Sequence, residues 1–119
     1  MLLMKESVIA TKSYSFSLQI IDLYKFLAFK EKEFVLSKQI LRSGTSIGAN
    51  VEEGRSAISK KDFISKNSIA LKEARETYYW LRLLRDSKFL PEKYLPLINE
   101  CNEIIKILTS IVKSSQEKL

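Results

Sequence analysis

The sequence contains no histidine and a single cysteine, and these two scarcities limit the chemistry that the chain can perform. Histidine is the commonest general base and the commonest metal ligand, so both roles lose their usual side chain. A zinc site would have to be built almost entirely from carboxylates, which is unusual for that metal. We therefore expect no metal, no cofactor and no enzymatic activity.

The lone cysteine also bears on where the protein works. Cys101 has no partner for an intrachain disulfide, which fits a reducing cytoplasm, and its apolar neighbours place it on a buried face. The first residues lack the apolar core of a secretory signal. No apolar run approaches the roughly 20 residues that span a bilayer. We expect a cytoplasmic protein that does not enter a membrane.

Glycine and proline are scarce as well. With 3 glycines and 2 prolines in 119 residues, the chain has few of the residues that interrupt long elements, which favours helices over a β-rich or loop-rich fold. The length suits one domain covering residues 1–119. Its 45% apolar and 29% charged residues supply both a core and a soluble surface.

Apolar residues recur at alternating spacings of three and four, which predicts four amphipathic helices. We expect them at about residues 6–29, 35–55 and 60–87, with a fourth that frays in the tail from Lys113 to Leu119. Ser59 is a predicted N-cap of the third helix, with Ser56 as the other candidate, and Pro91 is expected in the first turn of the fourth. Long helices with short connections predict an all-α fold, an antiparallel up-down-up-down four-helix bundle.

Small residues mark places where helices come close. Gly44 and Gly48 lie one turn apart on the inward face of the second helix, although glycine costs up to about 1 kcal/mol against alanine in a helix interior. They indicate either the close approach of another backbone or a kink. Ala70 and Ala74 lie on the core face of the third helix and are one candidate for the residues that meet this glycine pair.

The third helix carries an apolar arc roughly 200° wide, beyond the roughly 100° stripe of an ordinary surface helix. Either the helix lies deep between its neighbours, or its excess flank contacts another subunit. Aromatic residues beside charges are typical of an interface. We therefore predict that an oligomer interface contains Ile69, Glu73, Glu76 and Trp80.

The two glutamates of this flank have a simpler use than metal binding. Carboxylate-bridged metal sites in helix bundles normally use Glu-x-x-His pairs, and this chain has no histidine. We expect Glu73 and Glu76 to pair with Arg42 or Arg55 of the second helix, or with a neighbouring chain.

The face opposite the core of the third helix is basic. Its seven positions contain four cations, two serines, one tyrosine and no acid, in a chain with a net charge of +6 and a pI near 9.4. Cations neutralise phosphates and tyrosine stacks on bases, so this face is a candidate nucleic-acid site. The alternative is a solvated face whose charge Glu73 and Glu76 compensate. The predicted contacts are Lys61, Lys72, Arg75, Tyr79 and Arg82.

Two long segments carry a resemblance to a known family. Residues 41–53 (LRSGTSIGANVEE) and the blocks 59–66 (SKKDFISK), 69–77 (IALKEARET) and 79–84 (YWLRLL) resemble the second and third helices of the 23S rRNA intervening-sequence protein family, also called the S23 family. The similarity continues at residues 107–111 (ILTSI) and departs at Asn67, where leucine is usual.

The resemblance implies a left-handed four-helix bundle that assembles as a ring-like homopentamer and has no enzymatic activity. Related accessory proteins of diversity-generating retroelements are basic pentamers of the same bundle, and they associate with a reverse transcriptase and nucleic acid. Two functions remain open: a non-enzymatic, sequence-nonspecific nucleic-acid-binding accessory protein that favours RNA, and a protein–protein interaction scaffold with no direct nucleic-acid role.

Overall fold

The computed structural model describes residues 2–117, and these residues form long helices with short connections and no strand. The predicted all-α fold is confirmed. A π-helical turn, Phe26–Lys30, extends the first helix, and a short 3-10 helix, Glu92–Tyr94, precedes the last. The four α-helices are α1 (Leu2–Lys25), α2 (Leu36–Arg55), α3 (Lys60–Asp86) and α4 (Pro96–Glu117).

The helices pack in a square, each against its two neighbours in the order α1, α2, α3, α4 and back to α1. Side-chain contacts show their directions. Lys5 near the start of α1 donates to Ser110 near the end of α4 at 2.6 Å, and Gln19 donates to Glu100 at 3.0 Å. These crossed positions make α1 and α4 antiparallel, as the predicted bundle requires.

The predicted inward faces supply the core. Thr77 and Ser43 form a buried polar contact within it, since Thr77 Oγ1 lies 2.9 Å from Ser43 Oγ and 2.8 Å from the carbonyl oxygen of Glu73. Most of the remaining interior is apolar. Its largest fully buried side chains are Ile9, Phe16, Ile20, Leu23, Leu27, Ile40, Ile47, Leu81, Leu84, Leu97, Ile104 and Leu108.

The turn between α1 and α2 is made without glycine or proline. Lys32 takes a left-handed backbone conformation with φ 57°, which ends the first helix. The carboxylate of Glu33 then accepts hydrogen bonds from the backbone N–H groups of Val35, Leu36 and Ser37, the shortest at 2.7 Å. An acid at this position satisfies donors that the helix itself leaves open.

The ends of α3 follow recognisable rules. Ser59 is its N-cap, as predicted, and accepts a hydrogen bond from the backbone N–H of Asp62 at 3.0 Å. At the other end, Lys88 has φ 67° and Phe89 N–H returns to the carbonyl of Leu84 at 2.8 Å, as in a Schellman motif. Lysine occupies the position that usually holds glycine.

Two predictions about α4 are wrong. Pro91 does not lie in its first turn: Pro91 is extended and precedes the 3-10 helix, while α4 begins at Pro96. A proline suits that first position because its missing N–H has no helical partner there. The polar tail does not fray from Lys113, since the helix continues to Glu117 with Ser115 fully buried. Residues 118–119 of the expected tail lie outside the described residues.

The glycine pair of α2 faces α1 and not Ala70 and Ala74. A Cβ on Gly44 would lie 2.8 Å from Ile20 Cγ2, and one on Gly48 would lie 3.3 Å from the carbonyl oxygen of Ser13. The suggested contact with the alanines of α3 is therefore wrong. The two glycines instead let α1 approach the backbone of α2.

Ala74 of α3 contacts α4. The thiol of Cys101 on α4 donates to the carbonyl oxygen of Ala74 at 3.2 Å, and both residues are fully buried. Burial raises the pKa of Cys101 to about 12, so the thiol stays protonated at neutral pH.

The α1–α2 contact predicts a graded response to added methyl groups. Gly44→Ala forces the buried Ile20 to move, which costs about 1 to 3 kcal/mol, while the gain in helix propensity returns at most about 1 kcal/mol. We expect a net loss of about 1 to 2 kcal/mol in the free energy of unfolding, measured by chemical denaturation. Gly48→Ala, with a milder contact, is the comparison and should lose less. A Gly44→Ala protein as stable as the parent would contradict this packing.

Candidate nucleic-acid interface

The outer face of α3 carries the basic residues that the sequence singled out. With about 1.5 Å of rise per residue, they extend over about 30 Å of a molecule 47 Å long. All are exposed except Ser68, which is half-buried. This surface, named here the α3 stripe, consists of Lys61, Ser65, Ser68, Lys72, Arg75, Tyr79 and Arg82.

The cations of the α3 stripe are not neutralised by salt bridges. Among the described residues, Lys61, Lys72, Arg75 and Arg82 have no carboxylate within 4.0 Å. Their neighbour Lys66, on the side of the same helix, is paired with Glu53 of α2 at 3.2 Å. The unpaired cations therefore point away from the bundle, where a polyanion has access to them.

Aromatic side chains surround the C-terminal half of the α3 stripe. Tyr79 is 51% exposed, and its ring meets that of Trp80 at a centroid distance of 5.3 Å and an angle of 66°. The guanidinium of Arg82 lies 5.6 Å from the centre of the Tyr78 ring. Such a distance is within the range of a cation–π contact.

The acidic flank predicted as an oligomer interface is occupied within the chain by an arginine of α2. Arg42 Nη1 lies 3.1 Å from Glu73 Oε2, and Nη2 of the same guanidinium pairs with Glu76. Trp80 Nε1 donates to Glu76 Oε2 at 3.0 Å. Of the two arginines proposed for this pairing, Arg42 forms it, while Arg55 pairs with Glu52 of its own helix.

This pairing bears on how the α3 stripe is neutralised. Arg42 binds both carboxylates and Glu73 is only 8% exposed, but one arginine offsets only one of their two negative charges, and Glu76 also interacts with the charge of Lys72. Ile69 and Trp80, the apolar members of the same flank, are half-buried. They keep part of their surface open.

The sequence reasoning missed a second surface, on the outside of α1. Tyr14 is 68% exposed and Leu18 54%, and both line a groove of about 370 Å³ between α1 and α2. The absence of a side chain at Gly48 helps to open this groove. A signal was present in the sequence, because residues 7–21 contain a single charged residue, Lys12. We call the outer side of α1 over residues 7–21, together with this groove, the α1 face.

The structure offers no site for inorganic chemistry within residues 2–117. No three Cys, Asp or Glu side chains of this part come together as ligands for a metal ion. None of its helices has the length and apolar composition needed to cross a membrane.

Comparison with known proteins identifies the family. The model of the 23S rRNA-intervening sequence protein family matches residues 5–110, which is most of the chain. The chain belongs to this family.

A solved structure supports the assignment. The chain is similar to a protein of unknown function from the S23 ribosomal protein family of Bacteroides thetaiotaomicron, with 53% identity and a TM-score of 0.88. The match covers 92% of this chain and 98% of that one. No curated protein sequence matches the chain. The resemblance seen in residues 41–53 and in the third helix is thus confirmed.

In this member of the 23S rRNA-intervening sequence protein family, the contacts of Arg42 and Trp80 shift the pKa of one carboxyl group, that of Glu76. The hydrogen bond from Trp80 and the bonds and charge of Arg42 hold the pKa of Glu76 below its usual range. Glu76 therefore stabilises the fold as a carboxylate. Its contribution is fully present above its unfolded pKa of about 4.3 and is lost as pH falls through the lower folded value.

We predict that Glu76→Gln reduces the acid sensitivity of this family member. The drop in Tm between pH 7 and pH 3, followed by circular dichroism, should be smaller than in the parent because one carboxylate that favours the folded state is gone. The fluorescence of Trp80, the sole tryptophan, should also lose its acid transition.

Asp86→Asn is the matched control. Its pKa is lowered as well, by Arg85, but it lies away from the indole of Trp80 in the hydrogen-bond network. Its replacement should leave the tryptophan transition in place. An unchanged transition in Glu76→Gln would show that the network does not carry the effect.

Proposed function

We propose that this 23S rRNA-intervening sequence family protein is a non-enzymatic accessory protein that binds nucleic acid, RNA in preference, through the α3 stripe. The observation that carries the proposal is the exposed line of four cations without a salt bridge among the described residues. A cation that already has a carboxylate partner would have to give it up to bind phosphate. These four do not.

The chemistry of the stripe favours contacts with the backbone over contacts with base edges. Lysine and arginine release condensed counterions when they bind phosphates, and this supplies affinity without sequence information. Ser65 and Ser68 add hydroxyl donors between the cations. We therefore expect sequence-nonspecific binding with a steep dependence on salt.

Charge reversal tests the stripe. Lys72→Glu, Arg75→Glu and Arg82→Glu combined should weaken binding to labelled single-stranded RNA more than tenfold at about 50 mM salt, by fluorescence anisotropy. The slope of log affinity against log salt should also become shallower, by about 1 for each phosphate that the variant no longer neutralises.

The matched control changes the same charge elsewhere. Lys25, Lys38 and Lys106 are exposed, lie on the other three helices and form no salt bridge among the described residues. Their combined change to glutamate should weaken binding much less. Equal losses in both triple variants would mean that net charge alone matters, and an unaffected stripe variant would exclude the stripe as the site.

We further propose that the chain works as a homo-oligomer, and the family resemblance suggests five copies. A ring places two different surfaces of each chain in contact. The α1 face, nearly free of charge, and the flank of Ile69 and Trp80 are the two candidates. Small residues such as Ser17 and Ala49 line the groove of the α1 face and let a helix of a second copy approach closely.

Solution mass tests this assembly. The parent should sediment at five times the mass of the chain, and Leu18→Asp and Ile69→Asp should each lower that mass, because both would bury a charge at a contact. Ile58→Asp is the control, since Ile58 is 94% exposed in the turn before α3. A parent that is monomeric at tens of micromolar would refute the oligomer.

The second candidate function is a protein-interaction scaffold, and the α1 face is the observation that favours it. In that case the parent would be monomeric and would not bind RNA at physiological salt. It would instead hold one other polypeptide in fixed stoichiometry, and Leu18→Asp would release that polypeptide.

A further inference from the structure

Tyr79 occupies the position in the α3 stripe where an unpaired base could stack. It follows Arg75 by four residues and precedes Arg82 by three, so all three lie on one outer face within about 11 Å along the helix axis. Its ring is half exposed. A strand whose phosphates contact the two arginines would present its bases beside this ring.

The ring of Tyr79 contacts one other aromatic ring, that of Trp80, edge to face. It meets Trp80 at 66°, so the two rings are not stacked face to face. Trp80 is itself fixed by its hydrogen bond to Glu76, and Glu76 by its pairing with Arg42. A side chain that is already oriented loses less conformational entropy when a base stacks on it.

Resting on the proposed function, we propose that Tyr79 with Arg75 and Arg82 forms a stacking site that selects single-stranded RNA over duplex RNA. In a duplex the base faces are covered by neighbouring pairs, and exposing one requires unstacking. Aromatic stacking is tolerant of sequence because every base has a π face. The preference is therefore for strandedness and not for sequence.

Electrostatics alone favours the duplex, so a preference for single-stranded RNA would be evidence for stacking. Each phosphate that a protein neutralises contributes more counterion release on a duplex than on a single strand. A site made of charge alone would favour the duplex. A preference for the single strand must come from contacts with the bases.

The test compares one unstructured RNA of about 20 nucleotides with the blunt duplex formed with its complement, by anisotropy at about 100 mM salt. The parent should favour the single strand. Tyr79→Ala should weaken single-strand binding about 5- to 150-fold, the range of one stacked base, and leave duplex binding unchanged. Tyr79→Phe should keep the preference. Phe34→Ala, at a 52% exposed aromatic in the turn before α2, should have no effect.

The outcomes separate this inference from the function on which it rests. Equal binding to both RNAs by the parent, equal losses on both in Tyr79→Ala, or no loss on the single strand would overturn the stacking site while the α3 stripe still binds RNA. A parent that binds neither RNA at low salt would overturn the proposed function itself.

Discussion

The contact between α2 and α3 decides which side of α3 faces outward, and the candidate site depends on that orientation. Arg42 holds Glu73 and Glu76 along one edge, and further along the same contact Lys66 pairs with Glu53. Beside these ion pairs, the buried polar contact of Thr77 with Ser43 fixes the rotation of the helix. A helix rotated by one residue would turn about 100° and would move the cations of the α3 stripe against a neighbouring helix.

The same contact accounts for the polar residue at position 67. Asn67 is 3% exposed and donates to the carbonyl of Phe63 at 2.9 Å, so its amide is satisfied within α3. A Cβ on Gly54 of α2 would lie 2.9 Å from that amide nitrogen. Gly54 and Asn67 are thus matched to each other, which explains how the interior accommodates a polar side chain at this position.

The fold was largely predictable, because burial imposes a period on sequence. The burial of Phe16, Ile47 and Leu81 could be predicted because apolar residues recur at spacings of three and four around them. The N-cap Ser59 could be predicted because its hydrogen bond reaches only three residues along the chain, to Asp62. The spacing of apolar residues does not reveal which neighbouring helix a buried face packs against. The inward side of α2 meets both α1 and α3, so the position of Gly44 alone did not reveal that it packs against Ile20.

The candidate site was predictable only in part, for a related reason. Periodicity identified Lys72 and Arg82 as outward residues, but whether a cation is free depends on side chains distant in sequence. Arg42 reaches across 31 residues to Glu73, and no local pattern requires that choice over Arg55. The exposed apolar side chains of α1 were missed because the three-four spacing of a helix stays recognisable when a few outer positions are also apolar. The scarcity of charge in residues 7–21 was the stronger signal.

The geometry of the square bundle bears on whether the proposed assembly and the proposed nucleic-acid binding are compatible. Because α1 and α3 occupy opposite corners, their outer faces point away from each other. A second copy seated on the α1 face would leave the α3 stripe of the same chain uncovered, whereas a copy on the flank of Ile69 and Trp80 would lie beside the stripe, next to Tyr79. Four cations would bind a polyanion weakly, but each copy that joined the proposed assembly would add four more at fixed distances. A strand that contacted two copies would then gain affinity through effective concentration. The two proposals therefore depend on each other, since self-association would raise the affinity of the α3 stripe for nucleic acid.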